Sequence, residues 1–470
     1  MSQDNAYDLI VIGAGSGGLT AAIGGAGIGA RTLLIEKAKI GGDCTHYGCI
    51  PSKTLIKASK NYRQIKEILG DNAPAIDLSP VLTEVAQKVK TIADTEKAEV
   101  LEREYGIDTV CGEASFVDEE TLRVGSQKFS SQRFVIATGS RARVPDIQGL
   151  KDIPYLTNHQ IFEPDNFKSL IIIGGGPIGC ELGQAFAALG IQVRLIDSGK
   201  TILGREDKQA AELIKKQMEV DGVEFFLDAR PVRVERLHDG EIVVFLENGE
   251  EVIGERILLA AGRIPNTEGL ALENARVQYT SAGISVNKQA RSSNKRIYAI
   301  GDVVGGAQFT HYANHMGKIA LSNSLFGPFF PYEQSIIPRA TFTYPEVSSV
   351  GETEQSLRQQ NKEFLTLYKD YRHIDRAITD NKTAGFIKIL TDSKGKILGA
   401  TILGENAGEL IGEIALAMKN DLSITKIADS IHPYPTYSYG LMHTAVGFRG
   451  ANYTEGKKNL LKKLFRLKGN

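Results

Sequence analysis

The sequence predicts an α/β protein of 470 residues with two open parallel sheets, each begun by a strand, a glycine turn, a helix and a second strand, followed by a C-terminal α+β domain. Three observations carry this expectation. Asp8 to Ile12, the glycines from Gly13, the alanine-rich stretch Leu19 to Ala26 and the apolar stretch Arg31 to Glu36 read as one βαβ unit. The same grammar returns at Ser169 to Ile173, the glycines from Gly174, Glu181 to Leu189 and Gln192 to Asp197. The two units lie too far apart for a short solenoid repeat, and a chain of this length with 42% hydrophobic residues fills two or three cores rather than one.

The first turn, Gly13-Ala14-Gly15-Ser16-Gly17-Gly18, has the G-x-G-x-x-G spacing between strand and helix. Gly13 makes the tight turn, Gly15 admits a pyrophosphate, Gly18 lets helix and strand pack, and Glu36 can accept from ribose hydroxyls. The second turn, Gly174-Gly175-Gly176-Pro177-Ile178-Gly179, is followed by Asp197 at the end of its second strand. An acid there bonds a free 2′-hydroxyl and repels a 2′-phosphate, so NADH is favoured over NADPH. Arg194 and Lys200 nearby weaken that preference and keep NADPH in play. Both units are therefore Rossmann-like nucleotide-binding folds.

Between the units, Asn61 to Tyr105 reads as helical and charged, and Ile107 to Val144 as short strands separated by turns. Pro145 to Pro164, with three prolines, is the passage into the second domain. After Ile336 the chain turns β-rich (Phe364 to Tyr371, Gly385 to Leu390, Ile397 to Leu403) and then helical over Ala407 to Met418, whose apolar face could belong to a core or to an interface. Lys457 to Lys468 alternates leucines with lysines. This tail reads as a solvated end helix, with a basic amphipathic helix lying on a membrane as the alternative.

The net charge of −1 gives no polyanion-binding character, and nucleic acid is not expected as a partner. Met1 to Tyr7 is polar and lacks the pattern of a secretory signal, and no stretch approaches a membrane span. Four cysteines are too few for a disulfide scaffold in so long a chain, so a cytoplasmic protein with a working thiol pair is expected. That pair is Cys44 and Cys49, flanking a glycine-containing turn in Gly41-Gly42-Asp43-Cys44-Thr45-His46-Tyr47-Gly48-Cys49-Ile50-Pro51-Ser52-Lys53. A stray pair of buried cysteines, or half a zinc site, is the alternative, but zinc needs four ligands and no second pair has ligand spacing, so no metal site is expected. Cys111 and Cys180 read as buried packing residues.

With these segments the chain resembles the pyridine nucleotide-disulfide oxidoreductase family, which includes lipoamide dehydrogenase, glutathione reductase and mercuric reductase. The likeness runs from about residue 6 to about 450. It is carried by the first fingerprint, the cysteine segment, Ala137-Thr138-Gly139, the second fingerprint, Ala261-Gly262-Arg263-Ile264-Pro265-Asn266, Tyr298-Ala299-Ile300-Gly301-Asp302 and Phe342-Thr343-Tyr344-Pro345-Glu346. The resemblance implies FAD as cofactor, Cys49 as the thiol nearer the flavin and Cys44 as the one that attacks the acceptor. It implies Lys53 beside the reactive edge of the flavin with Glu181 as its ion-pair partner, and Asp302 on the ribityl chain. It further implies Ala114, Thr138 and Gly139 lining the FAD site, and Gly262 within the nucleotide-binding set. The domains it implies are 1–150 with 267–335 for FAD, 151–266 for NAD(P), 336–450 for dimerisation and a basic tail, 451–470. The third domain makes a homodimer the expected assembly.

The chain departs from the family near the C-terminus. Where those disulfide reductases carry a histidine before Pro-Thr and a glutamate five positions later, Tyr434 and Tyr439 stand here. A phenol with a pKa of about 10 is a poor proton shuttle near neutrality. His432, two residues earlier, is the candidate substitute if the loop turns it inward. The tyrosine and the second fingerprint are closer to mercuric reductase, although the cysteine pair that enzyme carries at its C-terminus has no counterpart in Gly450 to Asn470. The expected function is electron transfer from NAD(P)H through flavin and Cys44–Cys49 to a disulfide, a soft metal ion or another small acceptor. Dihydrolipoamide dehydrogenase is the second reading, and an FAD-containing redox sensor or binding subunit the third.

Overall fold

Every residue of Leu9–Ile12 is apolar and buried. A strand covered on both faces belongs in the middle of a parallel sheet between helices, and it lies there in the computed structural model, which describes residues 6–238, 240–451 and 455–467. The sheet runs Ile297–Ala299, Phe134–Ile136, Leu9–Ile12, Thr32–Glu36, Asp108–Cys111, with all neighbours parallel. The helix Ser16–Gly27 connects its two central strands and packs closely on the helix Thr310–Phe326. Glycines permit this approach: a Cβ on Gly17 would stand 2.9 Å from the Ala313 carbonyl oxygen.

The second parallel sheet runs Val223–Leu227, Gln192–Asp197, Ser169–Ile173, Arg256–Leu259. The strands Ser169–Ile173 and Gln192–Asp197 fall where the apolar runs place them. The helix between them is Pro177–Ala188 and starts before Glu181, because a proline at the first helical position fits its fixed φ and has no N–H to lose. The charged stretch before residue 105 is helical over Cys49–Leu69, Leu78–Ala93 and Ala98–Tyr105. A three-stranded antiparallel sheet, Pro231–Arg236, Ile242–Leu246 and Glu251–Gly254, was not legible beforehand.

By contacts the chain divides into two units, 1–200 with 222–333, and 201–221 with 334–470. The first holds both parallel sheets. The second is an antiparallel sheet, ordered Arg339–Thr341, Val347–Gly351, Ile397–Leu403, Phe386–Thr391, Leu365–Asp370, with helices packed on it. The helix Ala407–Lys419 buries Ala407, Leu410, Ile411, Ile414 and Ala417 in this unit's core, so its main apolar face is core. The helix Lys208–Val220 also belongs to this unit, although it connects two strands of the second parallel sheet. Asp207 caps it by accepting from Gln209 N and takes a 2.9 Å bond from Lys388, a lysine only 6% exposed. Beside it, Glu206 accepts from Arg339 at 2.7 Å and from Ser349 at 2.5 Å.

One expectation about packing is corrected. Cys180 is buried, but Cys111 is exposed, because it ends the strand at the edge of the first sheet. The leucine–lysine tail forms the helix Glu455–Phe465 with no buried residue. Residues 452–454 and 468–470 of that tail, and the opening residues 1–5, lie outside the described residues. Among the described residues no helix is long and apolar enough to cross a membrane.

Candidate active site

The two glycine turns repeat one geometry. Gly13 has φ +102°, and a Cβ there would meet the Ala137 carbonyl oxygen at 2.4 Å; Gly174 has φ +118° and would meet that of Ala260 at the same distance. A Cβ on Gly18 would stand 1.8 Å from Gly13 O, and one on Gly179 1.9 Å from Gly174 O. Gly15 and Gly176 differ from these, since a Cβ on either meets nothing within 4 Å. Those two backbones face open space at a helix N-terminus, the form of a pyrophosphate cradle. Each turn is pinned by its acid: Glu36 accepts from Ala14 N at 2.7 Å, and Asp197 from Gly175 N at 2.5 Å and Gly199 N at 2.6 Å. Arg194 is committed to Glu224 at 3.1 Å and to the Ile253 carbonyl at 2.8 Å, while Lys200 is exposed.

The cysteine segment docks on the first turn, with Gly41 N donating to Ala14 O at 2.9 Å. It is helical, and this corrects the expected turn: Cys44 sits within Gly42–Tyr47, Cys49 opens Cys49–Leu69, and Gly48 separates them with φ −125°, ψ −110°. Both cysteines are free thiols. Thr310 Oγ1 lies 3.3 Å from Cys49 Sγ, and Lys53, one turn along the helix, reaches Glu181 Oε2 at 2.7 Å. The Cys49 thiol is lowered to about 6, first by the hydrogen bond from Cys44, against burial, and further by the Thr310 hydroxyl and the Lys53 charge, with Glu181 opposing. The Cys44 thiol moves up, because its proton is held by Cys49 and because it is buried. The dithiol is therefore polarised, with the thiolate at Cys49 and the proton at Cys44.

Asp302 is half-buried and accepts from Ser140 Oγ at 2.6 Å. Burial raises its carboxyl above the ordinary range, against the Ser140 hydroxyl and the Arg263 charge. Thr138 donates to Asn266 O at 2.7 Å, so its hydroxyl is committed within the protein. Gly139 and Gly262 take φ +68° and +102°, and a Cβ on either meets nothing within 4 Å. Ala114 opens the strand Ala114–Phe116 and is buried, two residues after Gly112, whose N–H bonds the Glu36 carbonyl at 2.9 Å.

Sequence reasoning missed the group that ties these parts together. Arg263 NH2 donates to Asp43 at 3.0 Å and to the Ser140 carbonyl at 2.9 Å, and its Nε donates to Ser140 Oγ at 2.7 Å. Asp43, beside Cys44, also accepts from Asn158 at 2.9 Å and faces His159 at 3.4 Å. Burial works to raise the Asp43 carboxyl, but the His159 hydrogen bond, the Arg263 charge and Asn158 outweigh it and hold it low. Of these residues and Thr310, Asp43 and Arg263 stood in motifs already quoted, but neither was given a role.

His432 and Tyr434 belong to the second unit. The Tyr434 ring is 64% exposed, its hydroxyl donates to Asp375 at 2.9 Å, and that carboxylate raises the phenol above its usual value. Tyr439 packs edge-on against Tyr434, with ring centroids 5.3 Å apart. His432 Nε2 lies 3.0 Å from Glu413, and Nδ1 lies 3.0 Å from the Ser430 carbonyl. An imidazole–carboxylate pair thus exists in this unit, with a glutamate the sequence did not single out.

Residues 7–317 match the family described as pyridine nucleotide-disulphide oxidoreductase, and residues 337–445 its dimerisation domain. A mercuric reductase from Lysinibacillus sphaericus is 34% identical over 457 residues, covering 95% of this chain and 83% of that protein. A dihydrolipoyl dehydrogenase from Geobacillus stearothermophilus is 35% identical over 463 residues, covering 93% and 95%. Among solved structures, the HOCl-induced flavoprotein disulfide reductase RclA from Escherichia coli aligns with TM-score 0.85 at 28% identity, covering 94% of this chain and 99% of that one. Its Cu(II) complex aligns at 0.86 with the same identity and coverage.

Proposed function

Because the chain belongs to the pyridine nucleotide-disulphide oxidoreductase family, we propose that it is an FAD-dependent NADH oxidoreductase that delivers electrons through Cys44 and Cys49 to a thiophilic metal ion or a disulfide. The polarised thiol pair, with Cys49 lowered to about 6 beside Thr310 and the Lys53–Glu181 ion pair, carries this reading. The open cradle at Gly15 fits FAD. Bound there, FAD supplies the chemistry of accepting a hydride from nicotinamide and giving an electron pair to the disulfide.

The residues do the rest. Gly13, Gly15, Gly18 and Glu36 hold the FAD pyrophosphate and ribose, and Ala114, Thr138, Gly139 and Asp302 line the remainder. Glu181 orients Lys53 at the reactive edge. Gly174, Gly176, Gly179, Asp197 and Gly262 form the nicotinamide-nucleotide site; Asp197 disfavours a 2′-phosphate, and the commitment of Arg194 to Glu224 supports NADH. Reduction adds two electrons and one proton to the Cys44–Cys49 disulfide, leaving Cys49 as thiolate and Cys44 as thiol. With a disulfide acceptor, Cys44 attacks one sulfur, its proton leaves with the first thiol released, and Cys49 closes the ring and expels the second as thiolate.

A thiophilic metal ion requires less proton transfer, since the two sulfurs bind it with loss of the Cys44 proton alone. Tyr434, raised further by Asp375, is a poor acid–base group near neutrality and favours that acceptor class. The relatives named for mercury, and the Cu(II) complex of RclA, point the same way. Dihydrolipoamide oxidation is the second reading, favoured by the His432–Glu413 pair and by the dihydrolipoyl dehydrogenase relative. The match over 337–445 supports a homodimer in which His432 and Tyr434 serve Cys44 of the other subunit. Four cysteines in so long a chain, two of them a working pair, suit a cytoplasmic setting.

The test is an anaerobic NADH titration of the FAD-loaded protein, wild type and Cys49→Ser, followed by an acceptor series of Hg(II), Cu(II), oxidised glutathione and lipoamide. A long-wavelength thiolate-to-flavin absorption in wild type and its loss in Cys49→Ser are expected, with turnover highest on the metal ions. Identical bleaching of both proteins without that band overturns the thiol route. Fast lipoamide turnover makes the second reading correct, and no bleaching at all makes the chain a sensor or binding subunit.

A further inference from the structure

The chain as a whole is nearly neutral, yet one segment concentrates positive charge beside apolar side chains. The helix Glu455–Phe465 and the two residues after it hold Lys457, Lys458, Lys462, Lys463 and Arg466 against a single acid, Glu455. Leu460, Leu464, Phe465 and Leu467 are 62%, 68%, 63% and 58% exposed. At 100° per residue, Leu460, Leu461, Leu464 and Phe465 fall within about 140° of the helix circumference. Lys458, Lys462, Lys463 and Glu455 share the other side, where Lys458 also bonds Glu455 at 2.7 Å. Lys457 lies within the apolar arc, at the first turn of the helix. Leu467 is folded back by its N–H bond to the Lys462 carbonyl at 3.0 Å.

We propose that this helix docks the protein on an anionic lipid surface, lying in the headgroup plane with Leu460, Leu464 and Phe465 inserted and the lysines on the phosphates. An apolar arc bordered by cations is the composition that binds such interfaces. The helix is about 16 Å long, half the thickness of a bilayer core, so it lies on the surface and does not cross. A second copy of the chain suits it less well, because the dimerisation match ends at residue 445, before the helix begins, and lysine is depleted from protein interface cores. A nucleic acid would engage the lysines and leave the leucines without a role. The inference does not depend on the electron acceptor.

Flotation of the full FAD-loaded chain with phosphatidylcholine vesicles, with and without a quarter phosphatidylglycerol, tests it. Partition onto the anionic vesicles is expected to exceed that onto neutral ones by about tenfold or more, and to fade as salt is raised. Leu464→Glu with Phe465→Glu lowers it by on the order of tenfold, and Lys462→Gln and Lys463→Gln lower it by about fivefold each. NADH-dependent flavin bleaching, measured on the same samples, is expected to be unchanged and reports that the variants are folded. Equal partition of wild type and the Leu464→Glu, Phe465→Glu variant overturns the proposal. So does conversion of that variant from dimer to monomer in sedimentation equilibrium, which would make a second copy the occupant.

Discussion

Cys49 is acidified by groups whose signs can be tested one at a time. In the NADH-reduced protein the thiolate absorption is expected to persist down to about pH 6 and fade below it, since a lowered pKa keeps the anion into mild acid. Thr310→Val removes a donor, and Lys53→Met removes a cation while leaving the Glu181 anion, so both raise that midpoint by about one unit; Glu181→Gln lowers it. Lys53→Met also removes the ion-pair partner of a carboxylate only 7% exposed and is expected to destabilise the fold by about 1–3 kcal/mol, read by denaturant unfolding. The closeness of Cys44 to Cys49 was readable from their spacing, and the Lys53–Glu181 contact was expected from the family resemblance. Thr310, Asn158 and the partners of Asp43 were not readable, because these contacts are made across more of the chain than any periodicity spans.

The glycine turns show which parts of an element serve folding and which serve a ligand. Gly18→Ala puts a Cβ 1.8 Å from a backbone carbonyl of the same turn, so the strand–helix junction must open and little folded protein is expected. Gly15→Ala meets no protein atom within 4 Å, so normal thermal unfolding of the apoprotein is expected together with weakened FAD retention. Gly176→Ala makes the contrasting case, a yellow protein with KM for NADH raised about tenfold. These strands and helices were readable because apolar periodicity is strong in buried parallel sheets. The antiparallel sheet Pro231–Arg236 to Glu251–Gly254 was not, since its two outer strands are half-exposed and carry charges. The helicity of the cysteine segment was hidden by its glycines.

At the scale of the molecule, the second unit is assembled from two stretches of chain, and its polar core depends on both. Asp207→Ala removes the partner of buried Lys388 and the cap of Lys208–Val220, leaving Glu354 at 3.6 Å as the nearest remaining acid. A loss of about 3 kcal/mol is expected, seen as a lower Tm, with Lys388→Met partly restoring it in the double variant. The two βαβ units and the change to a mixed α+β unit after residue 336 were readable from repeated grammar, but this exchange of a helix was not, because Lys208–Val220 reads as an ordinary crossover between two strands. The exchange bears on the order of synthesis. The ribosome releases Lys208–Val220 long before the sheet that receives it, so the helix must wait with Asp207 uncompensated while later strands are made. A graft that carries only residues 337–445 into another protein would move Lys388 and Arg339 without Asp207 and Glu206, leaving Lys388 only the more distant Glu354. The separable piece of this protein is therefore a pair of segments, and recombination that respects it must cut the chain in three places.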